Sequence, residues 1–516
     1  MAILHKNINN ETDIHNPKWF QNANNGDYAF KNEKGQLEST DELLLPAALN
    51  FVDGSVAPPT TNAGDIYILS SGGSVNAGWG GVSLQDWVRY DGAAWNSITP
   101  QKGSMCYDKN ADALKVFDGS AWAGLGSSFG KLGISDSAGA FTYYSTLADA
   151  LTAASSGDTI EFFANITETS NITVTCVDGV NINFNGYTYT LNTSGTANAF
   201  SVNNNVSLEM YNGKIKRTGA TSDVTTKVAI KATGLGILTL SSMILENDFG
   251  NAAYLSSPTR TIKGGVFVGE TKGIFLQNAR LENAHASSNT GVGLQIQNNG
   301  IAINCYGFSD NSYGIYNNNS QAHNCTGRSH GNHGFFSGNG QTYNCQGFSS
   351  SNYGFHITGD AKYGNIFGYS SAEAGVNIVG QGTNVTGYST ATYGVRYFSG
   401  SGDHLILNLK AFSTADVAMY VLKNSGKVEF SNLDCATTHD DAGSHALLVA
   451  GSDDDIFFSG GSLRVQNAGA NCINAASAKN CYFVGLRFSN STTPVNANIT
   501  NLQSNTEDTF GNISIG

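Results

Sequence analysis

Carboxylates and histidines are scarce where this chain is most regular. Between residues 284 and 402 the acids are Asp310, Asp360 and Glu373. Hydrolysis of a glycosidic bond needs two carboxyl groups roughly 5–9 Å apart, and elimination needs a base beside a cation that neutralises the substrate. The three acids fall in different columns of the repeat described below, or several coils apart. Asp310 does have a partner: His330 follows it by one repeat and would sit about 5 Å away on the adjacent coil. The neighbouring column holds Tyr313, His333, Tyr353 and Tyr393. An aromatic stripe flanked by His and Asp reads equally as a sugar-binding face or as loop residues packing on one another. Acids cluster later, at Asp416, Asp434, Asp440, Asp441 and Asp453 to Asp455, with His439 and His445. These read first as solvated turn aspartates or a weak cation site, with Asp440-Asp441 and Asp453 to Asp455 in turns between coils. No column of paired acids stands out, so no catalytic residue is assigned.

The eight cysteines lie far apart without a CxxC pair, which leaves zinc and thioredoxin-like chemistry unsupported. No metal or cofactor is expected. Net charge is −13, from 27 basic and 40 acidic residues, which disfavours a phosphate-backbone partner. No apolar run of about 18 residues predicts a membrane span. The opening residues, Met1 to Asn10, lack the apolar core of a secretory signal. Charged residues are 13% of the chain, against an average of roughly 25%, and there are 61 glycines but 7 prolines. That composition fits an all-β protein with many tight turns.

The elements that hold these residues follow from a period of 20. Asn304-Cys305-Tyr306-Gly307-Phe308-Ser309 recurs from Asn324, Asn344, Asn365 and Asn384, with an earlier member at Asn283. A second strand keeps step at Tyr313-Gly314-Ile315, His333-Gly334-Phe335, Tyr353-Gly354-Phe355, Ala374-Gly375-Val376 and Tyr393-Gly394-Val395. Strand composition at this period, without a Leu-x-x-Leu-x-Leu pattern, predicts a parallel β-helix whose coils stack about 4.8 Å apart. Equivalent residues then form columns. Asn304, Asn324, Asn344, Asn365 and Asn384 read as an amide ladder, and Cys305, Cys325 and Cys345 as packed interior thiols. The glycine columns mark positive φ or close approach. Longer coils of about 25 residues follow residue 400, giving roughly 15 coils between 158 and 500.

Upstream, Thr146 reads as the N-cap of a helix through Ala154 that Gly157 ends, covering the open edge of the first coil. Residues 125–139 read as a linker. Residues 58–124 form a small β module in which Tyr90-Asp91-Gly92-Ala93-Ala94-Trp95 recurs as Phe117-Asp118-Gly119-Ser120-Ala121-Trp122, an Asp-Gly hairpin signal of type I′. Its Trp79, Trp87, Trp95 and Trp122 read as core before sugar platforms. Residues 1–57 form a polar arm that orders against a partner.

The stretch from Ser145 to Leu151, followed by Gly157-Asp158-Thr159-Ile160, resembles the opening of pectate-lyase-like right-handed β-helices. The module from Gly64 to Trp122 is similar to modules of bacteriophage tail fibre and tailspike proteins. The resemblance implies a right-handed parallel β-helix over 140–516 in a homotrimeric virion protein that binds a bacterial surface polysaccharide. Its N-terminal arm would attach to the phage tail, baseplate or a portal-proximal protein. Whether the glycan is also cleaved stays open. A polysaccharide hydrolase or lyase is the alternative, and a bacterial surface adhesin, disfavoured by the missing secretory signal, comes third.

Overall fold

The computed structural model describes short strands between residues 29 and 50 and most of 51–496; outside the described residues lie 60–61, 63–64, 72–73, 102–103, 109–112, 118, 125–130, 136–140, 174–177, 194–197, 203–204, 220–226, 259, 400–401, 424–425, 442, 451, 468, 476–477, 490, 492–494 and both ends of the chain. Most of the polar arm and the Gly/Ser-rich segment 125–130 are therefore not described. The chain divides into two compact units, Met1–Gly130 and Lys131–Gly516.

In the first unit two small sheets carry the tryptophans. Ile66–Ser71, Trp87–Tyr90 and Trp95–Ile98 form an antiparallel run, and Met105–Asp108, Ala113–Phe117 and Trp122–Gly124 another. Trp79 and Trp122 are buried, Trp95 packs 4.6 Å from Trp79, and Trp87 stacks 5.4 Å from Trp122. All four face apolar neighbours, as a small module closing two cores requires. The repeated Asp-Gly turns are not two-residue hairpins. Tyr90 pairs with Trp95 and Phe117 with Trp122, so each loop has four residues. Asp91 accepts from the amides of Ala93 and Ala94 with its side chain, and only Gly92 takes a positive φ there.

The second unit is a parallel β-solenoid. A 23-stranded and a 15-stranded sheet run its length, and after the first antiparallel strands every pairing is parallel. Fourteen steps in the 15-stranded sheet span about 67 Å. Leu132–Ser135, inside the stretch read as linker, pairs with Thr159–Phe162 and so belongs to this unit. The helix Leu147–Ala153 is capped by Thr146, whose hydroxyl accepts from the Asp149 amide. Ala154 is already extended, so the helix stops before Gly157, which serves the next turn at φ 90°. Leu147, Ala150 and Leu151 are buried against the solenoid.

A typical coil has three strands: Ile301–Ile303, Tyr306–Ser309 and Ile315–Asn318. The bend between the first two is made by Asn304 at φ 54°, a left-handed conformation that Asn tolerates better than other residues bearing a side chain. Asn283, Asn324, Asn344, Asn365, Asn384, Asn408 and Asn432 repeat it at φ 52–57°. Their amides bond from coil to coil: Asn324 donates to Asn304, and Asn304 to Asn283, at 3.0 and 3.1 Å. A second run links Asn432 through Asn408, Asn384 and Asn365 to Asn344. The opposite bend is also built on left-handed Asn, at 278, 298, 319 and 339. Cys305, Cys325 and Cys345 are buried and form no disulfide, and the neighbouring Cys325 thiol together with burial pushes the Cys305 thiol pKa well up.

At the third corner two glycine columns face each other. Their φ values are not positive; what they supply is room. A Cβ on Gly334 would lie 2.2 Å from the Phe348 amide nitrogen. The serines that close the same corner are buried, and each bridges two coils. The Ser349 hydroxyl accepts from the Asn352 amide and donates to the Asn332 carbonyl of the coil before. Ser370, Ser389 and Ser413 repeat this geometry.

Candidate functional site

The solenoid core takes every second residue of the 15-stranded sheet, and the alternate residues point outward. One outward column runs Tyr254, Phe275, Gln295, Tyr316, Phe336, His356, Asn377, Arg396 and Tyr420, each register-paired with the next. Tyr316 and Phe336 stack 4.8 Å apart at 6°. The neighbouring corner column places Tyr313 5.3 Å from His333, and His333 5.1 Å from Tyr353. Tyr313 also touches Tyr316 and Phe336, so two columns merge into one patch of rings. Ala374 then interrupts the corner column. Tyr393 lies beyond the gap and stacks on Tyr420 at 4.9 Å.

Among the sequence candidates, Tyr313, Tyr353 and Tyr393 are half-buried and border this face. His333 is different: it is 7% exposed and lies beneath the surface. Its Nε2 is 2.8 Å from His356 Nδ1. Burial and the facing imidazole depress the His333 pKa to about 3. Burial and the Arg396 charge depress that of His356 to about 4. Both rings are neutral at pH 7, one donating its N–H to the other. Asp310 and His330 form an exposed pair at 3.0 Å, with His330 edge-on to Phe308. Among the described residues no hydrogen bond or ring contact joins this pair to the Tyr313 group.

Several residues of the face were not singled out from the sequence: Tyr316, Phe336, His356, Asn377, Arg396 and Tyr420. The guanidinium of Arg396 lies 6.0 Å from the Tyr353 ring, 5.5 Å from Phe398 and 6.0 Å from Tyr420. Its Nη1 donates to the Tyr353 hydroxyl at 2.5 Å.

Two carboxylates also meet this face, a pairing the sequence reading missed. Glu373 and Asp416 follow Ser370 and Ser413 by three residues in identical serine turns, and in both the amide donates to the serine oxygen. Thr392 occupies the same position in the coil between them. The acids therefore share one column two coils apart, about 9.6 Å between backbones. Both help raise the pKa of the Tyr393 phenol, after burial itself. Of the later acids, Asp434 lines an open groove of about 490 Å³ with Lys410 and Arg487, and its carboxylate accepts from the Ser462 hydroxyl. Asp453 to Asp455 begin the long strand Ser452–Arg464, not a turn, because the wider coil extends its pairing. Among the described residues no group of three or more His, Cys, Asp or Glu could hold a metal ion, and no helix is long and apolar enough to cross a membrane.

A family model described as "Protein of unknown function (DUF2793)" matches residues 42–123. No curated protein matches the sequence. Among solved structures, ORF18 of Geobacillus virus E2 aligns at 11% identity and a TM-score of 0.30, over 81% of this chain and 74% of that one. Tailspike protein 2 from Escherichia coli O157:H7 bacteriophage CAB120 aligns at 14% identity and 0.18, over 84% of this chain and 49% of the other. The catalytic unit of a GH87 alpha-1,3-glucanase from Streptomyces thermodiastaticus strain HF3-3 aligns at 10% identity and 0.23, over 68% and 64%. This chain thus spans about half of the tailspike's length and just under two thirds of the glucanase unit's.

Proposed function

We propose that this chain is a bacteriophage tail fibre or tailspike protein that binds a bacterial surface glycan along the outward face of its 15-stranded sheet. The observation that carries the reading is the merged ring patch of Tyr313, Tyr316, Phe336 and Tyr353 with Arg396 at its edge. Rings fixed on a rigid ladder at the inter-strand spacing offer repeated platforms for the C–H faces of a sugar chain, and neighbouring amides and hydroxyls supply hydrogen bonds. Net charge −13 and the half-buried apolar rings suit an uncharged, hydroxyl-rich partner better than a nucleic acid. The virion assignment rests on the resemblance of the module and of the solenoid's opening. In this reading residues 1–57 attach to the tail, 58–124 form an intermediate module and 140–516 form the recognition solenoid, into whose first coil Leu132–Ser135 of the linker segment also pairs. The protein acts as a homotrimer outside the host cell, with an expected solution mass near 163 kDa (3 × 54.3).

The test is a panel of purified bacterial surface polysaccharides against the full chain. Binding to at least one is expected, with Tyr353→Ala and Tyr316→Ala each weakening it about tenfold or more. No binding to any, or variants that bind as the parent does, would sink the reading.

A second reading, glycan hydrolysis, is favoured by one observation. Glu373 and Asp416 stand in a single column two coils apart, about 9.6 Å between backbones, and carboxyl groups roughly 6.5–9.5 Å apart are what inversion requires. Release of reducing ends that Glu373→Gln and Asp416→Asn each lower by about 100-fold or more would establish it. Binding without release would leave the chain a receptor-binding protein.

A further inference from the structure

We infer that Asn377 and Arg396 form a subsite for the acetamido group of an N-acetylated sugar. The inference rests on the glycan-binding reading and narrows it to a substrate class. Asn377 sits between His356 and Arg396 in the outward column. It is 6% exposed, and its Oδ1 is buried without a hydrogen-bond partner. On the adjacent coil the Nε of Arg396 is likewise buried and unpartnered, while Nη1 is engaged by Tyr353. A buried acceptor and a buried donor thus stand side by side, unmet by each other. Such groups are rare in native proteins because each costs stability.

The chemistry that meets both at once is an amide, whose C=O accepts from Arg396 Nε–H while its N–H donates to Asn377 Oδ1. A carboxylate brings acceptors alone and would set its charge against Oδ1, with Glu373 and Asp416 nearby adding repulsion. A lone hydroxyl can meet either atom but brings no methyl group. The apolar wall for a methyl is present: Phe398, 40% exposed, and Tyr420 flank the guanidinium. Both open atoms are buried, so binding of the acetamido group requires the Arg396 head group to turn from Tyr353.

The test uses the full chain with N-acetylglucosamine and N-acetylgalactosamine as probes, against glucosamine, galactosamine, glucose and galactose. Saturation-transfer NMR should show the acetyl methyl as the most strongly saturated group of the bound sugar. Both acetylated sugars should compete with the polysaccharide at least tenfold better than their unacetylated counterparts, the difference expected for two hydrogen bonds. Arg396→Lys keeps the charge and removes Nε, and Asn377→Ala removes the acceptor. Each should erase that preference while leaving the circular dichroism spectrum unchanged. Equal competition by acetylated and unacetylated sugars, with polysaccharide binding intact, overturns the subsite alone. Failure of every glycan to bind overturns the reading beneath it.

Discussion

At the scale of single residues, the solenoid depends on side chains chosen for backbone shape as much as for packing. Asn324 holds φ 54° and donates to Asn304 at 3.0 Å. Replacement by Ala forces a side chain without a local hydrogen bond into the left-handed region, about 1–2 kcal/mol, and loses about 1 kcal/mol of ladder bonding. Replacement by Gly loses the bond but keeps the conformation. Asn324→Ala should therefore lower stability by about 2–3 kcal/mol and Asn324→Gly by less, in chemical denaturation. The reverse order would show that the ladder bond, not the bend, is the larger contribution. The His333–His356 pair makes a second prediction at this scale. Both native pKa values lie well below the ordinary 6.5. As pH falls below 6.5 the unfolded chain takes up protons that the native pair refuses, so stability is lost with acidification and the loss continues to about pH 3. It should amount to something on the order of 4 kcal/mol by pH 5, half from each histidine. The double variant His333→Tyr with His356→Phe installs residues that the same columns use at Tyr353 and Phe336. Thermal melts from pH 8 to pH 5 should then show a smaller fall than in the parent. An equal fall would place the acid sensitivity elsewhere.

At the scale of elements, legibility followed regularity. Between Asn283 and Asn384 the period varies only from 19 to 21, so columns can be read by counting, and the parallel solenoid follows from them. The same counting brings Tyr313, His333 and Tyr353 into one column. It does not say that His333 turns inward beneath its neighbours, because a corner residue's side chain can go either way. The outward column was missed for a different reason. Tyr316, Phe336, His356, Asn377, Arg396 and Tyr420 share a position but not a type, and a search for repeated residues passes over them. Glu373 and Asp416 were hidden by the coil that carries the second of them, since the Asn step there grows from 19 to 24 residues and breaks a count in twenties. Their serine turns give the alignment back, because the hydroxyl bridge fixes the turn whatever the coil length. The capping helix shows the opposite case, a short element legible from its cap yet stabilised mainly by burial. Its Thr146 hydroxyl is on the surface, while Leu151 is fully buried at the end of the stack. Thr146→Ala should cost about 1 kcal/mol and Leu151→Ala about 2–5 kcal/mol, read by thermal or urea unfolding. Leu151→Glu should in addition promote association at the uncovered strand edge, visible as a rise in light scattering before unfolding. Equal small effects from both Ala variants would mean that the helix packs loosely.

At the scale of the whole molecule, a solenoid of this kind is a sum of coils, each in contact chiefly with its neighbours. Gln341 donates its amide to the Ser320 carbonyl, so residues 321 and 341 occupy equivalent places one coil apart. Deleting residues 321–340 joins Ser320 directly to Gln341 and removes one complete coil without breaking a column. The Asn, Ser and Gly columns close over the gap, with Asn304 meeting Asn344 and Gly314 meeting Gly354. The shortened chain should fold, keep its β-type circular dichroism spectrum and unfold cooperatively, with a rod about 4.8 Å shorter. A deletion of ten residues from the same region, 321–330, would instead bring strand positions against bend positions and should abolish folding. The whole-coil deletion also removes His333 and Phe336 and sets Tyr313 beside Tyr353 and Tyr316 beside His356. Glycan binding should then weaken while stability changes little, which separates recognition from architecture within one chain. If the whole-coil deletion unfolds as readily as the ten-residue one, coils of this solenoid are not interchangeable units, and the column description of its recognition face fails with them.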